Sequence, residues 1–328
     1  MALSYTLRLI CLVIASAAIL QVSIELLLWI AAPSLLHRLR FLPVRSRERT
    51  IFFLQVSPFP LSLLSAALFC VPQYLRTETN FASEEVGWTF LLLTCAAATW
   101  FGLSMLRGLL IVFKTMRFAR ACRRAGQLHF AATESTPVLT LTEGTHPVAL
   151  VGLLRPFILV SCSLLESRTL TPEALELVLR HERSHAAHFD NWKLFSLYML
   201  PRLNLRLRQG DTWIQLWQRT AEWAADEEAV GNDSERALLL AETLIAVVRS
   251  CHTSPNALIQ ATFSCEEKDL ITRVDRLIAS QPPVHSTQKG ANIRAVAMIA
   301  LVLSAVLIGL SHWVPALHNF SESLLHLG

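Results

Sequence analysis

The chain has 328 residues, of which 53 % are hydrophobic and 16 % charged, against about 25 % charged in an ordinary soluble domain. The formal net charge of +4 is small, and no basic stripe is interleaved with aromatic residues, which argues against a nucleic-acid partner. The apolar residues gather in long runs, as in a membrane protein with a modest soluble part and lipid as its surrounding partner.

Three such runs come first, at about 9–33, 51–71 and 88–113. Each is long enough to cross a hydrocarbon core of about 30 Å as a helix. The first has Arg8 ahead of it and small residues at Ala15-Ser16-Ala17, but it continues well past the length of a signal-peptide core and reads as an uncleaved span. Gln21, Glu25, Gln55, Pro58, Pro60 and Arg107 interrupt the runs. Polar groups at that depth face other helices or water, so a packed bundle is expected, with Arg107 snorkelling to the interface.

Charge sets the orientation. The loop after the first run carries five arginines between residues 38 and 49 and a single acid, Glu48. The next connection, TETNFASEE, is acidic, and KTMRFARACRR after the third run is basic again. The positive-inside rule places the amino terminus outside, 37–50 inside, 74–87 outside and 114 to about 290 inside. A fourth run at about 295–314 then carries a short tail outward. The expected organisation is three transmembrane helices in 1–113, a cytoplasmic domain over 114–290, and the fourth span with its external tail in 291–328. The expected protein is therefore a multi-pass one of the inner, cytoplasmic membrane, with its soluble domain facing the cytoplasm. Seven scattered cysteines form no CxxC pair, so neither a disulfide framework nor a thiolate metal knuckle is expected.

Within 114–290, the stretch 137–161 is rich in Val, Thr and Leu and punctuated by Gly and Pro. It predicts two or three short strands ending at FILVS. Thr171-Pro172, with Glu173 and Glu176, is a helix start. Leu175, Leu177, Val178 and Leu179 give that helix an apolar side. Further helices are expected from about 212, ending near Gly231-Asn232, and over 234–250 and 266–280, making the domain mostly helical.

The first of these helices carries His181-Glu182-Arg183-Ser184-His185. Two histidines four apart share a helix face, and the HExxH pattern pairs zinc-binding imidazoles with a glutamate that activates water. A third ligand is required, with a position left for water. Glu222, in the segment EWAAD on the next helix, is the best candidate, since an antiparallel helix can return it to the histidines. Zinc held by His181, His185 and Glu222 would lower the pKa of its water, and Glu182 would act as catalytic base and then as proton donor to the leaving nitrogen. Asp226, one turn from Glu222, and Asp190 at the end of the motif helix can each back a histidine ring. The competing reading of each is a local cap or salt-bridge residue, more so for Asp190 than for Asp226. His188 is a rival ligand, and Arg183, Tyr198, His146 and the arginines of 202–208 are competing oxyanion donors. An exposed edge in 148–161 would bind an extended peptide.

On GLLRPFILVS at 152–161, on His181 to His185 with Asp190, and on Glu222-Trp223-Ala224-Ala225-Asp226, the chain resembles the membrane-embedded gluzincins, within them the BlaR/MecR-type regulatory metallopeptidases. Three spans before the domain and one after it add to the likeness. The resemblance implies a mostly helical α+β, zincin-like cytoplasmic domain in a multi-span α-helical membrane protein. It also implies zinc endopeptidase activity, with His181, His185 and Glu222 as metal ligands and Glu182 as catalytic base. The implied partner is a protein or peptide substrate, cut in signalling or regulation. The best-known members carry an external penicillin-binding sensor after the last span, whereas about fourteen residues follow it here, so sensing by such a domain is not expected of this chain alone. The trigger stays open, with a separate sensor or regulatory protein as one candidate partner. Two other readings compete: a membrane-protein quality-control protease, and an inactive scaffold in which polar Arg183 and Ser184 are merely surface. A transporter fits less well, because a large motif-bearing domain adds nothing to a pore. No motif encodes the substrate, the stimulus or the oligomeric state.

Overall fold

The computed structural model describes residues 4–77, 87–130, 136–141, 148–166, 170–207, 210–231, 233–251 and 267–279. The expected fourth span, His146 and His252 lie outside the described residues. The protein is mostly helical with a small sheet, and three helical stretches are long and apolar enough to cross a membrane: Tyr5–Leu39, Val44–Leu75 and Trp88–Ala125.

Helix α1 (Tyr5–Leu39) is continuous through Pro33. The second stretch is built in pieces: α2 (Val44–Val56), α3 (Pro58–Ser65), a π-helical turn Ala66–Cys70 and α4 (Val71–Thr77). Pro58 lacks the N–H that would continue the ladder, so the chain re-initiates there as a helix start. The arginine-rich segment read as a loop is, from Val44 onward, the first turns of α2. Helix α5 (Trp88–Ala125) has 38 residues, about 57 Å at 1.5 Å per residue. That exceeds a bilayer core, so its last turns are free to pack elsewhere.

They pack on the sheet. Strands β1 (Gln127–Phe130), β2 (Val138–Leu141), β3 (Val148–Val151) and β4 (Phe157–Ser161) lie in the order β1-β2-β4-β3. The β2–β4 pair is parallel and the other two pairs are antiparallel. Of the two or three strands expected in 137–161, three are present, and β1 is an addition. Every described residue of β3 and β4 is buried, because both faces are covered. Phe118 and Cys122 of α5 pack with Ala149, Val151, Phe157 and Leu159 on one face. Leu164, Val178, Leu179 and Val247 cover Val148, Leu150, Ile158 and Val160 on the other.

After the short α6 (Cys162–Glu166), the motif helix α7 (Pro172–Ala187) starts where expected, with the Thr171 side chain accepting from Ala174 N. Helix α8 (Asp190–Met199) follows. Helix α9 (Trp213–Val230) opens on a capping box between Thr212 and Gln215 and stops at Gly231, whose φ of +66° suits glycine. Helices α10 (Ser234–Cys251) and α11 (Glu267–Ile278) complete the described chain. Leu177 of α7, Ala229 and Val230 of α9, Leu240 and Leu244 of α10, and Leu277 of α11 form one core. Ile24, Leu28 and Leu35 of α1, Ile51 and Leu54 of α2, Leu197 of α8 and Trp217 of α9 form another. The second core joins the apolar stretches to the helices that carry the site.

Candidate metal centre

On α7, His181, Glu182 and His185 are all buried. They occupy the inner face because Leu177 and Val178, one turn earlier, anchor that side to the core. Helix α9 packs against α7 and brings Glu222 to the histidine pair. The Nε2 atoms of His181 and His185 are 3.2 Å apart. Glu222 Oε2 lies 3.3 Å from His181 Nε2, and its Oε1 lies 3.5 Å from His185 Nε2. One ligand atom from each residue lies within 4.8 Å of the others, so the three can hold a metal ion. Metal bonds of about 2.0–2.2 Å in a tetrahedral arrangement set neighbouring ligand atoms about 3.3–3.6 Å apart. The His181–His185 spacing is close to that, and Glu222 approaches the two rings with different oxygens.

The outer ring nitrogens fix the chemistry of the inner ones. His185 Nδ1 meets Asp190 Oδ2 at 2.8 Å, and His181 Nδ1 lies 3.0 Å from Asp226 Oδ1. A carboxylate only accepts, so His185 Nδ1 carries the hydrogen and that ring, when neutral, turns a lone pair inward from Nε2. His181 Nδ1 lies beside Asp226 at ion-pair distance without a hydrogen bond, and its Nε2 faces Glu222. The two Nε2 atoms and a carboxylate then converge, and this set is satisfied by a cation, either a proton or a metal. The pKa shifts express the same need. Burial opposes charge on His181, yet the Asp226 and Glu222 carboxylates raise its pKa well above the imidazole range. Burial likewise opposes charge on His185, and Glu222 and Asp190 raise its pKa. Glu222 is held low: burial pushes it up, and Arg273 with the two histidines more than reverses that.

Glu182 stands apart. It is 1 % exposed, its Oε2 makes no hydrogen bond, and burial raises its pKa before the nearby histidines partly counter the effect. A buried carboxyl group with a raised pKa and a free oxygen can both accept and return a proton.

Asp190 was expected at the end of the motif helix and instead begins α8. Phe189, at φ +56°, adopts a left-handed conformation that breaks the helix, and the turn brings Asp190 back under His185. His188 faces away from the cluster and meets Glu228 Oε2 at 2.9 Å, which removes it as a rival ligand. Among the oxyanion candidates, Arg183 turns to Glu176 at 3.5 Å and Arg202 donates to Gln55 Oε1 at 2.6 Å.

The β3 edge is partly occupied. Ile158 N–H donates to Pro137 O on the β2 side at 2.9 Å, so in the Leu150–Ile158 pair the hydrogen-bonding groups of Leu150 point outward. Asn191 Nδ2 donates to Leu150 O and Gly152 O at 3.3 and 3.0 Å. An added peptide strand would have to displace it there.

Four residues of the site gave no signal in the motif. Arg273 of α11 donates to both oxygens of Asp226, from Nε at 2.8 Å and from Nη2 at 2.7 Å, while its Nη1 lies 2.9 Å from Glu222 Oε2. Glu48 and Arg45 of α2 and Lys193 of α8 form a second network behind His185 and Ser184. Glu48 was visible as the lone acid among five arginines, and nothing local marks Arg273. No family model, curated protein or solved structure matches the chain.

Proposed function

We propose that the protein is a zinc-dependent endopeptidase of the membrane, of the gluzincin kind and resembling the BlaR/MecR-type regulatory peptidases, acting on a cytosolic or membrane-proximal protein in signalling or regulation. The observation that carries this reading is the convergence of three metal-binding side chains, His181, His185 and Glu222, beside a buried glutamate, Glu182, whose Oε2 has no hydrogen-bond partner. Nitrogen and carboxylate donors in this number and spacing suit zinc, with a fourth position left for water. The same four residues would satisfy the zincin-like arrangement implied by the sequence resemblance.

When bound, zinc supplies Lewis-acid activation of water and of the scissile carbonyl. The remaining tasks belong to the chain. Asp190 holds the His185 ring by hydrogen bond with its Nε2 turned inward, and Asp226 stands beside His181 Nδ1 at 3.0 Å. Arg273 neutralises the excess carboxylate charge while leaving Glu222 lone pairs free. Glu182 accepts the proton of the attacking water at its unpartnered oxygen and delivers it to the leaving amide nitrogen.

One observation favours a membrane-proximal substrate, and with it the quality-control alternative. Helix α8 begins at Asp190, behind His185, and packs along α5, so closely that a Cβ on Gly108 would lie 2.5 Å from Met199 Cγ. The site is therefore tied directly to the third apolar stretch.

The test is zinc content per chain in detergent-purified full-length protein, wild type against Glu222→Ala. One zinc in the wild type and a large loss in the variant is the expected result. A wild-type chain that is folded and free of zinc after growth in zinc would overturn the reading and leave the scaffold.

A further inference from the structure

We propose that Glu48 and Lys193 are positioning residues for the metal site, so that its affinity for metal depends on how the foot of the second apolar stretch is seated. This rests on the metal-binding reading of His181, His185 and Glu222 and extends it to residues outside the motif.

Glu48 lies one turn into α2, the helix that continues toward Leu75 as a candidate span. Its side chain is fully buried. A carboxylate in that position is costly unless it is paired, and its partners come from the two elements flanking the site. Glu48 Oε1 accepts from Trp217 Nε1 of α9 at 2.7 Å and from Lys193 Nζ of α8 at 3.0 Å. Lys193 Nζ also donates to Asp190 Oδ1 at 2.9 Å. The other oxygen of Asp190 holds His185 Nδ1 at 2.8 Å. The chain of contacts therefore runs from a transmembrane-stretch helix through a carboxylate, an ammonium and a second carboxylate to a ligand imidazole.

A second contact from α2 reinforces it. Arg45, three residues before Glu48, donates from Nη2 to Ser184 Oγ, inside the motif, and to Glu228 Oε2 of α9, each at 2.7 Å. Its Nη1 lies 4.0 Å from Asp190 Oδ2. Helix α2 thus grips both helices that supply ligands. An apolar residue at position 48 would fill the same space without desolvating a charge. What the carboxylate adds is direction: it fixes the Lys193 ammonium, which fixes the Asp190 rotamer, which sets the ring of His185. Displacing α2 along its axis withdraws Glu48 and Arg45 together and leaves Lys193, which positions Asp190 against His185, without its carboxylate anchor.

The experiment measures zinc affinity of the full chain in detergent by competition with a chromophoric chelator, and the visible absorption of the cobalt-loaded protein as a report on ligand geometry. Lys193→Met, Lys193→Arg, Glu48→Gln and the double variant Lys193→Met with Glu48→Gln are compared with wild type. Loss of a residue backing a metal ligand typically costs about 10–100-fold in affinity, so Lys193→Met should bind zinc at least about ten-fold more weakly, with an altered cobalt spectrum. Lys193→Arg should recover most of the loss. The double variant should be no weaker than the weaker single variant, because both interrupt one chain of contacts. Affinity in both single variants within about two-fold of wild type, or losses that simply add, would overturn the proposal. Lys193 is partly exposed, so its variants decide the matter even where Glu48→Gln does not fold. Zinc that is lost in Glu222→Ala but unaffected in Lys193→Met sinks this proposal alone, whereas a wild type without zinc sinks the metal reading as well.

Discussion

Replacing Arg273 by Met tests whether the site is a balanced buried charge cluster. The guanidinium is 5 % exposed and faces Asp226, also 5 % exposed, and Glu222, 25 % exposed. Methionine keeps most of the volume and removes three charged contacts. Removing one partner from a buried ion pair costs about 3–5 kcal/mol, because the remaining charge is left uncompensated. His181 still lies 3.0 Å from Asp226 and takes up part of that charge, which places the expected cost near the lower bound, about 3 kcal/mol. At about 2–4 °C per kcal/mol for a folding unit of this size, the melting temperature of metal-free protein should fall by about 6–12 °C. The assay is thermal unfolding of the chelator-treated full chain in detergent, followed by far-ultraviolet circular dichroism. Adding Asp226→Asn to Arg273→Met removes the orphaned anion, so the double variant should melt higher than the sum of the single losses predicts. Added zinc should narrow the gap between Arg273→Met and wild type, since the ion is itself a local positive charge. A melting temperature within about 2 °C of wild type, or strictly additive losses, would refute the buried-cluster reasoning.

On the proposed peptidase reading, Glu182→Gln should retain its zinc and lose at least about 100-fold in peptide turnover. Loss of zinc in that variant, or retained turnover, would remove Glu182 from the role of base. Glu228 gives a pH test away from the ligands. Burial pushes its pKa up, but Ser184, Arg45 and His188 hold the anion and bring it below the usual carboxylate value. Its folded pKa is depressed, so its contribution is present above the unfolded value of about 4.3 and is lost as pH falls through the folded value. Melting curves of wild type and Glu228→Gln should therefore differ near neutral pH and converge below about pH 4; a difference constant across that range would refute the assignment. Gly108→Val should lower the melting temperature through overpacking worth about 1–3 kcal/mol, because the new Cβ would lie 2.5 Å from Met199 Cγ and 3.3 Å from Met199 Cα. An unchanged melt would mean that α5 and α8 are not in fixed contact.

What the sequence makes legible here is what repeats or pairs over short distances. The four-residue spacing puts His181 with His185 and Glu222 with Asp226, and Thr171-Pro172 and Thr212 mark the starts of the helices that carry them. The strands ending at FILVS follow from composition and punctuation. The order of the helices made Glu222 the plausible third group, and the structure places it at the pair. The break at Phe189 was not legible, because a non-glycine residue in a left-handed conformation has no signature of its own. Without the break, Asp190 would continue α7, and the turn that returns it to His185 would be lost. Arg273, Glu48 and Lys193 were missed for a different reason. Their partners lie 47 residues away for Arg273 and 145 residues away for the Glu48–Lys193 pair, so only the packing of helices against one another brings them together.

The polar residues of the first apolar stretch carry the same lesson. Gln21 and Glu25 read as groups turned toward a packed bundle, and the structure gives them a more specific task. Gln21 Nε2 donates to Pro201 O at 3.1 Å, Glu25 Oε2 accepts from Leu203 N at 2.8 Å, and Trp29 Nε1 donates to Arg206 O at 2.7 Å. Positions 21, 25 and 29 are successive turns of one helix face, so α1 forms a rack that takes the irregular backbone of 201–206 group by group. Gln55 adds a fourth hold by accepting from Arg202 and donating to Trp213 O at 3.0 Å. Irregular backbone beside apolar helices must find hydrogen bonds within the protein, and these side chains provide them. The segment held in this way connects α8, which supplies Asp190, to α9, which supplies Glu222. Polar interruptions in the apolar runs and the geometry of the candidate metal centre are therefore parts of one arrangement, and substitutions at Glu25 or Gln55 should be read for their effect on the site as well as on the bundle.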